Sequence, residues 1–283
     1  MDIKRIFVVG AGTMGNGIAQ TAAVSGYQVT MTDVIPEALQ RGQAAIARSV
    51  EKLASKGTLT QEQKQAAQAI TLSADLEPAR QADLVVEAAT EDPTVKLRLF
   101  GDLDRLAPPA AILASNTSSI SITRIAGATR RPEQVIGMHF FNPVPLMRLL
   151  EVVRGLATSD ATAAVALEVG RRMGKEPVEA KDSPGFISNR ILCPMINEAV
   201  FALQEGIGTP ESIDTIMKLG MNHPIGPLAL ADLIGLDVVL FVMQVLQRDL
   251  GEDKYRPAPL LRQMVDAGYL GRKSGRGFFS YAS

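Results

Sequence analysis

The feature that most constrains this chain of 283 residues is a glycine-rich turn close to its amino terminus. Residues 3–9 form a short apolar run rich in β-branched side chains, which predicts a strand. The turn follows directly, a helical pattern comes next, and a second predicted strand at residues 27–32 ends at Asp33. This strand–helix–strand order within about 30 residues is typical of the βαβ unit. The turn comprises Gly10, Ala11, Gly12, Thr13, Met14 and Gly15.

The turn matches the G-x-G-x-x-G fingerprint of dinucleotide binding, and its position between a strand and a helix makes the match specific. Gly10 permits the tight turn, Gly12 lets the backbone approach a pyrophosphate, and Gly15 lets helix and strand pack closely. Asp33, about 20 residues further on, would accept hydrogen bonds from the adenosine ribose and repel a 2′-phosphate. Val34 and Ile35 follow it with no arginine, so the sequence favours NAD over NADP. The alternative is a glycine turn without a ligand and an Asp33 that only caps a helix.

The rest of the first two thirds alternates in the same way. Compact apolar runs predict strands at residues 82–88, 110–115, 134–140 and 149–153, while residues 37–69 suit a helical hairpin. Strands alternating with helices predict an α/β fold, a Rossmann-type doubly wound and mainly parallel sheet. We therefore expect an NAD-binding domain at residues 1–183 with the hairpin inserted in it.

Strand signals nearly vanish after the Lys181–Gly185 segment, which predicts an all-α carboxyl-terminal domain at residues 184–283 for substrate binding and dimerisation. Residues 236–246 are apolar almost all round, a pattern that predicts a helix buried on every side. We expect a second subunit to cover part of this helix in a homodimer.

Composition excludes several classes of function. The formal net charge of −1 argues against nucleic acid as a partner. The single cysteine, Cys193, excludes an internal disulfide, and with the distant His139 and His223 it argues against a metal site. Aspartates interrupt the apolar residues 227–242, so no membrane span is expected. No targeting segment is visible, and we expect a cytoplasmic protein.

Polar residues follow two of the predicted strands, at the edge where an open α/β sheet binds ligands. Asn116 and Ser118 come after the strand at 110–115, although a Ser/Thr helix cap explains them equally well. His139 ends the next strand, and Glu151 follows after a proline-flanked turn. If that turn reverses the chain, Glu151 returns beside His139 and can orient the imidazole for proton transfer. For a lone histidine, a structural role is the alternative.

Several segments resemble the L-3-hydroxyacyl-CoA dehydrogenase family, in order and along essentially the whole chain. They include Val-Glu-Ala-Ala-Thr-Glu, Ala-Ser-Asn-Thr-Ser-Ser, His-Phe-Phe-Asn-Pro-Val-Pro and Asp-Ser-Pro-Gly-Phe-Ile-Ser-Asn-Arg. The resemblance is greatest to short bacterial members without a fused hydratase domain. It implies NAD-dependent oxidation of (S)-3-hydroxyacyl-CoA thioesters, with 3-hydroxybutyryl-CoA as the foremost substrate, and the reverse reduction.

The resemblance also implies roles for individual residues. His139 matches the catalytic acid/base, Glu151 its orienting partner, and Ser118 and Asn189 the residues that contact the reacting end of the substrate. Residues that match the NAD site, some of them also near the substrate, are Asp33, Glu91, Lys96, Asn116, Ser118, Asn142 and Lys273. Ser49 and Lys56 match positions that contact coenzyme A.

Three other functions stay open at this point. One is a 3-hydroxyadipyl-CoA or longer-chain dehydrogenase, which shares these motifs. Another is a non-catalytic NAD-binding homologue, since fold does not fix function. The third, a dehydrogenase of free β-hydroxy acids, is disfavoured by the His-Phe-Phe-Asn-Pro segment.

Overall fold

An eight-stranded sheet forms the centre of the first of two units, into which the chain divides between Asp182 and Ser183. The structure is a computed structural model and describes residues 2–281. The strands are β1 Arg5–Val9, β2 Gln28–Thr32, β3 Thr71–Ser73, β4 Leu84–Glu87, β5 Ile112–Ser115, β6 Val135–Phe140, β7 Leu149–Arg154 and β8 Glu176–Lys181.

The strand order is β3-β2-β1-β4-β5-β6-β7-β8, and neighbouring strands are parallel except β6 and β7, which pair antiparallel. The first six strands therefore have the doubly wound order, and the predicted mainly parallel Rossmann-type fold is confirmed. Between β1 and β4 the order in which successive strands are added to the sheet reverses, and such folds bind ligands at this switch point. Strands β4, β5 and β6 are buried at every position, as expected for a sheet with helices on both faces.

Six helices of the first unit connect these strands: α1 Thr13–Val24, α2 Pro36–Ser55, α3 Gln61–Gln68, α4 Pro93–Leu106, α5 Ile122–Ala126 and α6 Asp160–Arg172. Helices α2 and α3 form the expected hairpin. Its turn contains Gly57 with a positive φ of 70°, and Thr60 and Gln63 close a capping box at the start of α3.

Strands β3 and β8 are absent from the sequence-based prediction. Strand β3 has three residues, and β8 is an edge strand whose only fully buried side chain is Ala180. Neither segment can therefore show the continuous apolar run by which the central strands were identified.

The second unit is helical. Its helices are α7 Ser188–Gln204, α8 Pro210–Gly220, α9 Pro227–Ile234, α10 Leu236–Leu250 and α11 Pro259–Asp266. Residues of α7, α9, α10 and α11 share its core. Within residues 2–281 no single helix is long and apolar enough to cross a membrane; α9 and α10 pass that test only jointly, and they meet at a bend of 98°.

The prediction that residues 236–246 are buried on every side is wrong for the single chain. Val238 and Phe241 are 42% and 43% exposed, whereas Leu236, Met243 and Leu246 are fully buried. Helix α10 therefore packs on the core of its own chain with most of its apolar side chains and exposes two others, Val238 and Phe241.

Candidate active site

The glycine-rich turn forms a cradle of backbone at the carboxyl end of β1. Gly10 has a φ of 104°, a conformation that suits glycine, and a Cβ on Gly15 would lie 1.8 Å from the Gly10 carbonyl oxygen. A Cβ on Gly12 would meet no atom within 4 Å, so open space lies in front of the turn. Helix α1 starts there without a side-chain cap, and its amides suit a pyrophosphate. These residues fit NAD.

Asp33 fastens the end of β2 to this cradle. Its Oδ2 accepts a hydrogen bond from the Ala11 amide at 2.9 Å, and its Oδ1 accepts one from the Ile35 amide at 3.0 Å. Each carboxylate oxygen can accept a further bond, so Asp33 keeps the capacity to bind two ribose hydroxyls. The side chains of Val34 and Ile35 are exposed beside it and add no positive charge.

A buried charge network lies beneath the ends of β4 and β5, and the sequence analysis missed its central residue, Glu87. The Glu87 side chain is 0% exposed, and its carboxylate pairs with the Lys96 ammonium and accepts a bond from the Ser115 hydroxyl at 2.7 Å. Its other oxygen accepts the Ala89 amide at 2.9 Å. The signal was available, because a glutamate within an apolar strand requires a buried partner.

Lys96 therefore lies inside the protein, with a side chain that is 1% exposed. Its Nζ also lies 3.3 Å from Ser115 Oγ and 4.0 Å from a carboxylate oxygen of Glu91. The ammonium thus stands between the buried Glu87 and the partly exposed Glu91, and its role at the coenzyme stays a prediction.

Glu91 organises the polar turn that follows β5. One carboxylate oxygen accepts the Ser118 amide at 2.7 Å and the Ser118 hydroxyl at 3.0 Å, and the other accepts the Thr117 hydroxyl at 2.7 Å. Asn116 points the other way, and its side-chain oxygen accepts the Phe140 amide at 2.9 Å. The Asn116–Phe140 bond joins the end of β5 to the end of β6, so Ser118 and His139 belong to the same edge of the sheet.

His139 and Glu151 face each other across the antiparallel pair β6–β7. The strand register places them directly opposite, and Nδ1 of His139 lies 2.8 Å from Oε2 of Glu151. Both residues are buried, His139 with 7% and Glu151 with 3% of its surface exposed. The centroid of the Phe141 ring lies 4.6 Å from the centroid of the imidazole. An ionised carboxylate only accepts hydrogen bonds, so Nδ1 carries a proton and Nε2 is the basic nitrogen of the neutral ring.

The other residues expected at the site have the following positions. Asn142 is exposed in the turn after β6, Ser49 lies within α2, and Lys56 is the residue that follows the end of α2. Asn189 and Lys273 belong to the second unit. Asn189 lies in the first turn of α7, and the Lys273 ammonium pairs with the Asp237 carboxylate at 2.6 Å.

Chemically, this edge of the sheet combines a dinucleotide cradle with a base that a carboxylate orients. The cradle ends β1, the Glu91-held serine turn follows β5, and the imidazole ends β6. Such an arrangement can hold a nicotinamide coenzyme and move a proton to or from a hydroxyl group.

Comparison with known proteins identifies relatives along the whole chain. The family model for the 3-hydroxyacyl-CoA dehydrogenase NAD binding domain matches residues 5–183, and the model for the 3-hydroxyacyl-CoA dehydrogenase C-terminal domain matches residues 185–281. A probable 3-hydroxybutyryl-CoA dehydrogenase of Bacillus subtilis (strain 168) is 56% identical over 282 residues, which cover 99% of this chain and 98% of that relative.

Two further relatives give the same result. A 3-hydroxybutyryl-CoA dehydrogenase of Bradyrhizobium diazoefficiens is 51% identical over 99% of this chain and 96% of that relative. The crystal structure of (S)-3-hydroxybutyryl-CoA dehydrogenase from Ralstonia eutropha superimposes with a TM-score of 0.96 at 52% identity, covering all of both chains.

Proposed function

The chain belongs to the 3-hydroxyacyl-CoA dehydrogenase family of NAD-dependent oxidoreductases, and on that premise we propose that it interconverts (S)-3-hydroxybutyryl-CoA and acetoacetyl-CoA. The observation that carries the proposal is the buried His139–Glu151 pair, on the same sheet edge as the dinucleotide cradle. The similarity of this chain to two relatives named 3-hydroxybutyryl-CoA dehydrogenase supports the four-carbon substrate.

The proton chemistry follows from the geometry of the pair. Nε2 of His139 takes the proton of the substrate's 3-hydroxyl group, and the Glu151 carboxylate at Nδ1 stabilises the imidazolium that results. Bound NAD supplies the acceptor for the hydride that leaves C3. In the reverse direction, the His139 imidazolium protonates the oxygen at C3. A general base contributes about 10²–10⁴-fold to the rate.

Ser118 has a role as a second ligand of the same oxygen. When substrate binds, the Ser118 hydroxyl donates its hydrogen bond to the substrate oxygen instead of to Glu91, while the bond from the Ser118 backbone amide to the Glu91 carboxylate holds the turn in place. Asn142 would add to the polar surroundings of the reacting group, as the family resemblance implies.

The test follows NADH absorbance with acetoacetyl-CoA as the substrate. We expect oxidation of NADH by the wild type and a loss of about 10²-fold or more in His139→Gln with NADH binding retained. A wild type that binds NADH but turns over no CoA ester would identify a non-catalytic homologue. Comparison of four-, six- and ten-carbon esters and of a dicarboxylic ester separates the proposed substrate from longer-chain and 3-hydroxyadipyl-CoA alternatives.

Coenzyme A is proposed to bind along the hairpin. Arg48 and Lys52 of α2 and Lys56 directly after it are exposed, and Ser49 of α2 is half-buried. Lys56→Gln should raise KM for acetoacetyl-CoA and leave KM for acetoacetyl-pantetheine, which lacks the nucleotide phosphates, unchanged. An equal change with both substrates would contradict this assignment.

We propose further that the enzyme is a homodimer formed through its helical unit. Ile216 and Leu219 on α8, and Val238 and Phe241 on α10, form two i,i+3 pairs of large apolar side chains that are 42% to 82% exposed, and exposed apolar patches mark interfaces. Light scattering at micromolar concentration should give the dimer mass, and a stable monomer would refute the proposal.

A further inference from the structure

The turn between β6 and β7 connects the strand of His139 to the strand of Glu151, so its conformation affects how these two residues are placed. It begins with Phe141, which contacts the imidazole, and continues through Asn142. Most of its side chains are exposed, Leu146 by 62% and Met147 by 41%. Val144 is the exception at 1% exposure, so the turn is fixed to the protein at that residue.

Lys175 fixes the backbone of this turn from one side. It lies between α6 and β8, is 7% exposed, and its Nζ donates hydrogen bonds to the carbonyls of Val144 at 2.5 Å and Met147 at 2.8 Å. Both acceptors are neutral carbonyl groups. Burial lowers the pKa of the Lys175 side chain, because the charged ammonium loses hydration there.

Helix α1 contacts the same turn at the side chain of Val144. A Cβ on Gly17 would lie 2.9 Å from Cβ and 3.1 Å from Cγ2 of Val144, so the valine packs directly on the helix backbone. Helix α1 is the helix that opens at the coenzyme cradle. Val144 is therefore held between the coenzyme helix and the Lys175 ammonium.

We infer that Lys175 is a positioning residue of the dehydrogenase: it holds the β6–β7 turn against α1 and thereby sets the position of Asn142 and of the His139–Glu151 pair. The inference rests on the proposed function, since it concerns the rate of that reaction. Lys175 itself contacts the turn and not the dyad, so its effect has to pass through the backbone of residues 143–147.

The primary test is Lys175→Met, which keeps the aliphatic stem and removes the donors. We expect kcat for acetoacetyl-CoA reduction to fall by about 10- to 100-fold, the size associated with a displacement of about 1 Å in a catalytic group. NADH affinity should stay within about twofold of the wild type, because the cradle is untouched. Lys175→Arg should recover part of the loss, since its guanidinium can reach both carbonyls and a cavity of about 200 Å³ adjoins the side chain.

A double-mutant cycle separates positioning from mere stabilisation. If Lys175 acts through Asn142, the double variant with Asn142→Ala should lose little more kcat than the worse single variant. A purely structural lysine would lower the melting temperature and leave kcat of the folded enzyme unchanged. Arg148→Met is the matched control, because Arg148 lies in the same turn but forms only an exposed ion pair with Glu176. It should leave kcat unchanged.

Gly17→Ala keeps the inference falsifiable if Lys175→Met does not fold. The added methyl group must displace the Val144 side chain and should lower kcat in the same way. A kcat equal to that of the wild type in Lys175→Met would overturn the inference, and the same result in Gly17→Ala would do so if Lys175→Met does not fold. In both cases the active wild type would still support the proposed function. A wild type without turnover would instead refute the proposed function.

Discussion

Two buried pairs in this sheet each join a glutamate to a basic side chain, and they differ in what the basic side chain can do. The Glu87–Lys96 pair at β4 is 0% and 1% exposed, and the His139–Glu151 pair between β6 and β7 has side chains 9% and 4% exposed. Burial therefore does not distinguish the two. Lysine stays charged near neutral pH, whereas an imidazole gains and loses a proton there.

The hydrogen-bond partners of the two glutamates also differ. Glu87 accepts bonds from the Lys96 ammonium, the Ser115 hydroxyl and the Ala89 and Thr90 amides, so each carboxylate oxygen has two fixed donors. Glu151 faces a ring nitrogen whose other side can exchange a proton with substrate. We therefore expect the first pair to support the strand ends and the second pair to carry out the proposed proton transfer.

The largest expected effect is on turnover, in Glu151→Gln. The substitution keeps the shape and the acceptor but removes the charge that stabilises imidazolium, so kcat should fall by about 10²–10⁴-fold. Steady-state kinetics with acetoacetyl-CoA and NADH measure it, and NADH affinity should hardly change. Near-normal turnover would mean that Glu151, like Glu87, is a structural carboxylate.

The next effect is on stability, in Lys96→Met. The substitution leaves the Glu87 carboxylate buried without its cation, which should lower the free energy of unfolding by about 3–5 kcal/mol. Urea denaturation measures the loss, and Lys96→Met combined with Glu87→Gln should restore part of it. If Lys96→Met instead kept its stability and lost NADH affinity, Lys96 would be a coenzyme ligand and the comparison would fail.

A third carboxylate, Asp33, should combine both kinds of role. Asp33→Ala removes the bond to the Ala11 amide and the proposed ribose ligand, so kcat/KM with NADH should fall by about 10- to 100-fold, as for a bond of about 1.5–3 kcal/mol. Asp33→Asn keeps an acceptor for the amide without the charge, and its preference for NADH over NADPH should narrow. Equal efficiency of the wild type with both coenzymes would contradict the role of Asp33.

The smallest effect concerns a buried titratable group with no role in the reaction. Burial raises the pKa of the Cys193 thiol to about 12, so the thiolate is scarce near pH 8 and labelling by a disulfide reagent should be slow until urea unfolds the chain. Because the pKa of the thiol is higher in the folded than in the unfolded state, Cys193 contributes to the free energy of unfolding. This contribution is fully present below the unfolded pKa of about 8.5 and is lost as the pH rises toward 12. Labelling of the native enzyme at the rate of a free thiol would contradict the burial of Cys193.

The sequence could predict those features of the fold and the site that leave a local pattern. The glycine turn, the central strands and the carboxylate opposite His139 each produce a local pattern: a motif, an apolar run, or a spacing across a proline-flanked reversal. The antiparallel pairing of β6 and β7 then makes the 139–151 contact a matter of register. Local patterns were sufficient for these features.

Other features depend on contacts between distant segments and leave little local signal. Lys175 and the turn at Val144 are joined only by the folded backbone, and β8 is an edge strand without an apolar run. In helix α10 a local pattern was present but misleading. Its apolar sequence predicted burial on every side, whereas Val238 and Phe241 are exposed in the single chain. Composition reports how apolar a segment is, and the fold decides which side chains are covered.

The central claim is that His139 and Glu151 act as one unit in proton transfer. A double-mutant cycle on kcat for acetoacetyl-CoA reduction tests it, with Glu151→Gln, His139→Gln and the double variant measured across pH. The account predicts that the double variant loses little more than His139→Gln alone, and that the pH profile of Glu151→Gln shifts to lower pH because the imidazolium lacks its counter-charge. Strictly additive losses with an unshifted profile would contradict it, because the two residues would then act separately.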